Sequence, residues 1–337
     1  MPNLPKPRLR RTARTRGAVV TRPQEPDRPN VEAIEYAPPD RPALRWINIE
    51  EPRPVDRAWL EEHFDFHPLD YEDVFSRNQR PKVDEYDDYL FVVLHFPAYD
   101  KTLRRLSAAE LDVFVGPDYV VTLPNQPIQP LEYLFERCRT REDLRDQLFA
   151  NGPGYLLYKI VDDCVDASFP MLRKVGNKLE RLEDDIFEGE RPAEIVRDIS
   201  NVKQEIINFR RVVRPQRSAL KDLEATKRYI PDDLEIYFDD INDASERIWD
   251  LLENYKEVVE ALESTNESVL SHRLNDTFRI LTAISVIVLP LTLIASIWGM
   301  NTHVPGGGTH AGFYAVVGVM VIVLVATIVI FKRRGWL

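Results

Sequence analysis

The sequence predicts an α/β N-terminal domain, a long stalk helix and a two-helix C-terminal transmembrane hairpin, and three observations carry that reading. Residues 280–331 contain no Asp, Glu, Lys or Arg, although 29% of the 337-residue chain is charged. Short β-branched and aromatic runs, the mark of strands, are confined to residues 45–123. From residue 232 to residue 289 there is neither Gly nor Pro, so one helix is free to run unbroken into the apolar stretch.

The runs at 45–49, 89–95, 110–115 and 119–123 read as strands, and 55–64 and 68–75 as helices with acidic residues near their starts. Residues 41–150 are therefore expected to form an α/β domain. Beyond Gly154 the strand signals stop. Residues 155–188 and 193–226 read as two long amphipathic helices, split by Gly-Glu-Arg-Pro at 189–192, and they fill the segment 151–230. In the segment 231–300, Ile241, Ala244, Ile248, Leu251, Tyr255, Val258, Leu262, Thr265 and Val269 recur with coiled-coil spacing. A helix over 232–300 is about 100 Å long, about three bilayer cores. It is expected to associate with copies of itself.

Charge narrows the function classes. The chain carries a formal charge of −11, yet residues 1–30 hold eight Lys or Arg against Glu25 and Asp27 alone. The remainder thus sits near −17, which disfavours nucleic acid and suits cations. Residues 1–40, rich in Pro and Arg, are expected to be a disordered basic tail. No apolar stretch follows the basic opening, so a cleaved secretory signal is not expected. Cys138 and Cys164 lack any CxxC spacing, which points to a reducing compartment without a disulfide scaffold or structural zinc. Nor is there an enzyme motif: Gly306-Gly307-Gly308 lacks the Lys-Ser/Thr of a phosphate loop, and His63 and His67 lack HExxH context.

Residues 280–300 and 313–331 are each long enough to cross a hydrocarbon core of about 30 Å. The connector 301–312 holds no formal charge. His272, Arg273 and Arg279 precede the first span, and Lys332, Arg333 and Arg334 in the basic tail 332–337 follow the second. The positive-inside rule then places both termini and the soluble body in the cytoplasm, with the hairpin in the inner (plasma) membrane.

The spans differ in character. The second is nearly pure Val, Ile, Leu and Ala, whereas the first carries Asn275, Phe278, Leu281, Ser285, Leu289, Thr292, Ser296 and Gly299 on one helical stripe. Such a stripe suits either a pore wall or helix packing through small hydroxyl side chains. Two helices cannot enclose a water path, so a pore requires several subunits.

Gly299-Met300-Asn301 closes the first span. This tripeptide resembles the signature of the CorA family of magnesium and cobalt transporters, whose superfamily includes the zinc-transporting ZntB branch. Support runs along residues 45–337: His67-Pro68-Leu69, Glu72-Asp73-Val74, 80–83 (RPKV), 86–91 (YDDYLF), 155–158 (YLLY) and 332–337 (KRRGWL) resemble the family pattern in order. The resemblance implies a funnel-shaped homopentamer with the first span lining the pore. It implies passive uptake of Mg²⁺, often with Co²⁺ and Ni²⁺. It places Gly299, Met300 and Asn301 at the selectivity filter, the Asn301 ring lying at the outer mouth. It further implies regulatory Mg²⁺ held between subunits by Asp100 and Asp240, with Asp243 matching a neighbouring family carboxylate.

A ring of Asn301 carbonyls suits Mg²⁺, which sheds its water reluctantly, because amide oxygens can accept hydrogen bonds from coordinated water. Gly299 is expected to allow a close approach and a turn out of the helix. Thr292 and Ser296 offer neutral oxygens, while Leu281 and Leu289 can form constrictions that gate by dewetting. The sequence departs from the family in two places. Residues 302–312 lack the usual acids and carry His303 and His310, a donor type suited to softer metals such as Zn²⁺. Phe278 stands where an unbranched apolar residue is usual. A ZntB-like zinc transporter is thus the alternative within the superfamily, and a membrane-tethered oligomeric scaffold or signalling protein the alternative outside it.

Overall fold

The computed structural model describes residues 28–38, 43–76, 79–100, 105–188, 192–226, 228–300 and 309–334. They form strands β1 (Glu32–Tyr36) and β2 (Leu44–Asn48), helices α1 (Pro54–His63) and α2 (Pro68–Ser76), and strands β3 (Lys82–Glu85), β4 (Leu90–Asp100), β5 (Arg105–Val115) and β6 (Tyr119–Pro124). Helices follow: α3 (Gln129–Thr140), α4 (Glu142–Phe149), α5 (Gly152–Asp166), α6 (Ser168–Glu188), α7 (Pro192–Ala225), α8 (Glu235–Trp298) and α9 (His310–Arg333), with a single 3-10 turn at Asp232–Leu234 before α8. The chain divides into two compact units. One holds Met1–Leu94, Ala109–Leu157 and Thr226–Pro231; the other holds His95–Ala108, Tyr158–Ala225 and Asp232–Leu337.

The first unit is built on a six-stranded sheet in the order β1-β2-β6-β5-β4-β3. The β2–β6 pair is parallel and the β1–β2, β5–β6 and β3–β4 pairs are antiparallel. Alternation along the strands gives the sheet two apolar faces. Ile47, Phe91, Val93, Phe114 and Val121 meet Leu60 of α1 and Tyr71 and Val74 of α2 on one face. On the other, Trp46 meets Phe135 of α3 edge to face at 4.9 Å.

The family-like motifs of this unit converge on one polar network. Tyr86 and Tyr89 donate their hydroxyls to the buried Asp70 carboxylate at 2.9 and 2.6 Å, and the His67 backbone N–H donates to Tyr89 Oη at 2.7 Å. Lys82 bridges Asp73, at 2.7 Å, and Asp84. These residues knit α2 to β3 and the start of β4. They hold the domain together, and none of them lies in either membrane helix.

Three local results differ from the sequence reading. Strand β1 falls inside the stretch assigned to the disordered tail, where it pairs with β2. The helix expected over 155–188 is broken at Ala167 into α5 and α6. Pro170 suits the break, since its missing N–H is harmless in the first turn of α6, although Pro215 and Pro290 are carried inside the continuous helices α7 and α8. The seam of α8 is also shifted by one position. Ile241, Ile248 and Leu262 are buried as expected, but their partners are Ser245, Leu252, Val259 and Asn266, while Ala244, Leu251, Val258 and Thr265 are only half-buried.

That seam is occupied within the chain, because α6 and α7 pack against α8. An ion-pair ladder fixes the α7–α8 register: Lys203 with Glu263 at 2.6 Å, Arg210 with Glu253 at 2.5 Å, and Arg217 with Glu246. The α7 members stand seven residues apart, two helical turns, so they share one edge. Next on that edge, Glu224 accepts a hydrogen bond from the buried Asn242 side chain. The heptad spacing of α8 is therefore met by its own neighbours and supplies no argument for self-association.

One buried group makes stability depend on pH. Asp112 on β5 is 1% exposed, and its Oδ1 has no hydrogen-bond partner. Burial first, then the charges of Glu110 and Asp73, push its carboxyl well above the usual range, with Lys82 opposing. The folded chain therefore keeps a proton that the unfolded chain releases. Stability is full below the ordinary carboxylate value of 3.8 and falls as pH rises toward the folded value. Asp112→Asn should raise stability at about pH 8 by about 1–2 kcal/mol and flatten its pH dependence. Thermal melts of both proteins from about pH 5 to 8 check this; parallel curves contradict it.

Candidate functional site

Both C-terminal helices are long and apolar enough to cross a membrane. Their mutual packing is confined to one face of each. On α8 that face is Ala283, which is buried, with Ile287, Pro290, Leu291 and Ile294 half-buried. On α9 it is Gly312, Val316, Met320, Val323, Leu324, Thr327 and Phe331, all half-buried. Trp298, Phe313 and Tyr314, exposed at the facing ends of the two helices, suit the membrane–water boundary.

The predicted stripe lies elsewhere. Asn275, Phe278, Leu281, Ser285, Leu289, Thr292, Ser296 and Gly299 are all exposed in the single chain. At 100° per residue, the direction of this stripe is about 180° from the face packed on α9. Packing against α9 therefore does not account for its hydroxyls. The stripe is uncovered in the single chain, as are Ile284, Val286, Val288, Leu293 and Ile297 beside it; its polar side chains set it apart from them.

Hydroxyl geometry adds a chemical detail. Ser285 Oγ donates to the Leu281 carbonyl at 2.9 Å, and Thr292 Oγ1 donates to the Val288 carbonyl at 3.0 Å. Each proton is turned back into the helix, leaving the oxygen lone pairs facing outward as acceptors. At these two positions an outward acceptor favours a cation or the protons of its hydration water. Pro290 lies inside the same helix and has no N–H to give the Val286 carbonyl.

At the end of α8, Gly299 has φ −83°, a right-handed value open to any residue, and its N–H donates to the Ala295 carbonyl at 2.9 Å. The turn expected of glycine is thus an ordinary helix end, and its conformation does not demand the missing side chain. Met300 is exposed. Asn301 and His303 lie outside the described residues. His310 opens α9, inside the stretch assigned to the connector, after Thr309 caps the helix by accepting the Gly312 N–H at 3.2 Å.

The carboxylates predicted for regulation all lie in the second unit. Asp100 ends β4, and Asp240 and Asp243 are exposed in the first turns of α8. The His95 backbone N–H, further up β4, donates to Gln216 Oε1 of α7 at 2.6 Å. Tyr158 of α5 packs on Tyr237 and Phe238 at ring distances of 5.0 and 6.1 Å, setting α5 against the start of α8. That packing collects acids that sequence reasoning missed. Asp162 and Asp163 share Lys159, at 2.8 Å each. Partial desolvation, then Asp162, Asp163 and Asp240 push the Asp166 carboxyl up, against the charge of Lys159. Their i, i+3 and i+4 spacing was the available signal. Among the described residues, no group of three His, Cys, Asp or Glu side chains is placed to hold a metal ion.

An α/β unit followed by one continuous helix, whose apolar end pairs with a second apolar helix, defines a class: membrane proteins whose stalk and first span are a single element. The chain belongs to the CorA-like Mg²⁺ transporter family, whose sequence model matches residues 42–333. It is accordingly a metal ion transporter of the membrane and not an enzyme. The cobalt/magnesium transport protein CorA of Thermotoga maritima is 31% identical over 299 residues, covering 87% of this chain and 83% of that protein. The zinc transport protein ZntB of Yersinia pseudotuberculosis is 20% identical over 294 residues, covering 87% and 88%. The complete structure of the CorA magnesium transporter from Methanocaldococcus jannaschii matches with a TM-score of 0.77 at 22% identity, over 87% of this chain and 92% of that one. That likeness bears on the fold alone.

Proposed function

We propose that the protein is a homopentamer of the inner membrane that admits hydrated Mg²⁺, with Co²⁺ and Ni²⁺ as further cargo, down the electrochemical gradient. The observation that carries this reading is the exposed stripe on α8, directed away from α9. Five copies arranged about an axis would bring these stripes together around water. Each ion would meet the amide ring of Asn301 at the outer mouth, then the acceptor oxygens of Ser296, Thr292 and Ser285. Side-chain oxygens that bind the ion's water without replacing it hold Mg²⁺ weakly enough for release. Leu289 and Leu281 would form dry constrictions, and Phe278 and Asn275 the inner mouth. The basic residues flanking both spans support cytoplasmic termini.

Feedback follows from charge. Asp240 and Asp243 of one subunit, facing Asp100 of its neighbour, would repel one another unless Mg²⁺ lies between them. Asp162, Asp163 and Asp166 add to that repulsion. Cytoplasmic Mg²⁺ would thus hold the subunits together and the pore shut, and its depletion would free the stalks.

Zinc is the second reading within the superfamily. It is favoured by His303 and His310 in a connector without acids, and by the ZntB relative. Flux into proteoliposomes, comparing Mg²⁺, Co²⁺ and Zn²⁺ with and without a pH gradient, separates the two readings, and a scaffold would give no flux.

Asn301→Ala should lower Mg²⁺ flux by about two orders of magnitude or more with assembly intact, because the loss removes the amide ring that this reading places at the mouth. Undiminished flux would remove the filter assignment. Asp240→Lys should weaken the protection that Mg²⁺ gives against protease, read as band survival across a Mg²⁺ titration. Equal protection in variant and parent contradicts the gate.

A further inference from the structure

Away from the apolar spans and the acidic cluster, the second unit contains a groove of about 260 Å³ between α7 and the polar part of α8. Its chemistry is opposite to that of the chain as a whole, which carries −11. Lys203, Arg210, Arg211 and Arg214 line it from α7, and Lys256 from α8, over a floor of Ile206 and Val259. Glu260 is the carboxylate in the lining, and Lys256 stands 3.7 Å from it.

The cations of the groove are not equivalent. Lys203 and Arg210 are rungs of the ion-pair ladder. Arg210 is further immobilised over the Trp249 ring at 5.0 Å, and Arg217 lies over the same ring at 5.1 Å. Arg211 and Arg214 are different: both are exposed, and neither has a carboxylate partner among the described residues. They stand three residues apart on one edge of α7, so their guanidinium groups can converge on one anion. A chain with 55 acidic residues that leaves two adjacent arginines unpaired, beside a lysine across a cleft, presents a surplus of positive charge there. Guanidinium groups match phosphate oxygens in bidentate geometry.

Position excludes the membrane as the source of that phosphate. The α8 wall of the groove runs from Trp249 to Glu260, which at 1.5 Å per residue lies about 30–45 Å from the first span at Ile280. A headgroup cannot reach it. We infer that the α7–α8 groove binds a soluble phosphate-bearing polyanion through Arg211, Arg214 and Lys256. Such a ligand ties α7 to α8 beside the ladder that fixes the register of the stalk. The inference does not depend on which metal is carried.

The test is isothermal titration of sodium tripolyphosphate into the full-length protein in zwitterionic nanodiscs, with EDTA present and at low salt. The expected result is saturable binding that weakens about tenfold or more in the Arg211→Glu, Arg214→Glu double variant. Arg173→Glu, Lys174→Glu, which makes the same charge change at exposed positions on α6, should bind as the parent does. Three results overturn the site: no saturable binding by the parent, equal binding by the groove variant, or equal weakening in the α6 control. Loss of parent binding in nanodiscs of anionic lipid assigns the groove to headgroups and overturns the soluble source. A changed oligomeric mass in the groove variant, measured by light scattering, marks it as a contact between copies and also overturns the proposal.

Discussion

A helix of 64 residues forms both the stalk and the first span, and that continuity constrains everything else in the molecule. Its backbone hydrogen bonds run along its own axis, so it crosses from water into lipid without exposing an unpaired carbonyl, except where Pro290 withholds a donor. A rigid rod of about 95 Å also carries displacement from one end to the other. Whatever moves the acidic base of α8 moves the hydroxyl stripe. In the proposed mechanism, regulation at the base and permeation at the stripe would thus be carried by one element.

Three environments act on that rod in turn. Near its base, α5 brings Asp166 into the field of Asp240, beside Asp162 and Asp163, which share Lys159. Along its middle, α6 and α7 bury one seam and the ladder from Lys203 to Arg217 sets the register. Half-buried but solvent-accessible ion pairs of this kind contribute on the order of 1 kcal/mol or less each. The ladder thus selects a register without welding it. Within the membrane, α9 covers a single face, and the opposite face keeps its acceptor oxygens bare. The proposed assembly would turn that face toward water shared among subunits.

Much of this was legible because the membrane segment is chemically monotonous: a few hydroxyls among Leu, Ile and Val stand out, and their spacing gives their direction. The α8 seam was harder. Ala244 and Ser245, Leu251 and Leu252, Val258 and Val259 are adjacent pairs of similar character, so composition could not say which member turns inward. Packing by α6 and α7 decided it. Strand β1 was hidden by its polar residues Glu32 and Glu35 and by the prolines before it, and β3, Lys82–Glu85, is too short and charged to announce itself. Asp162, Asp163 and Asp166 were absorbed into an amphipathic helix, because their meaning arises only when α5 packs on the base of α8. The Asn301 assignment rests on resemblance, since periodicity says nothing about a residue beyond the helix end.

In the proposed pore, the α8 face turned away from α9 borders water within the membrane. Single cysteines at Ser285, Leu289, Thr292 and Ser296 on that face, and at Ala283, Ile287 and Ile294 on the opposite one, address it directly, since native Cys138 and Cys164 are buried. With a charged, membrane-impermeant thiol reagent under Mg²⁺-free conditions, the first set should react and the second should not. Equal protection of both sets, or reaction of the second alone, would contradict the account.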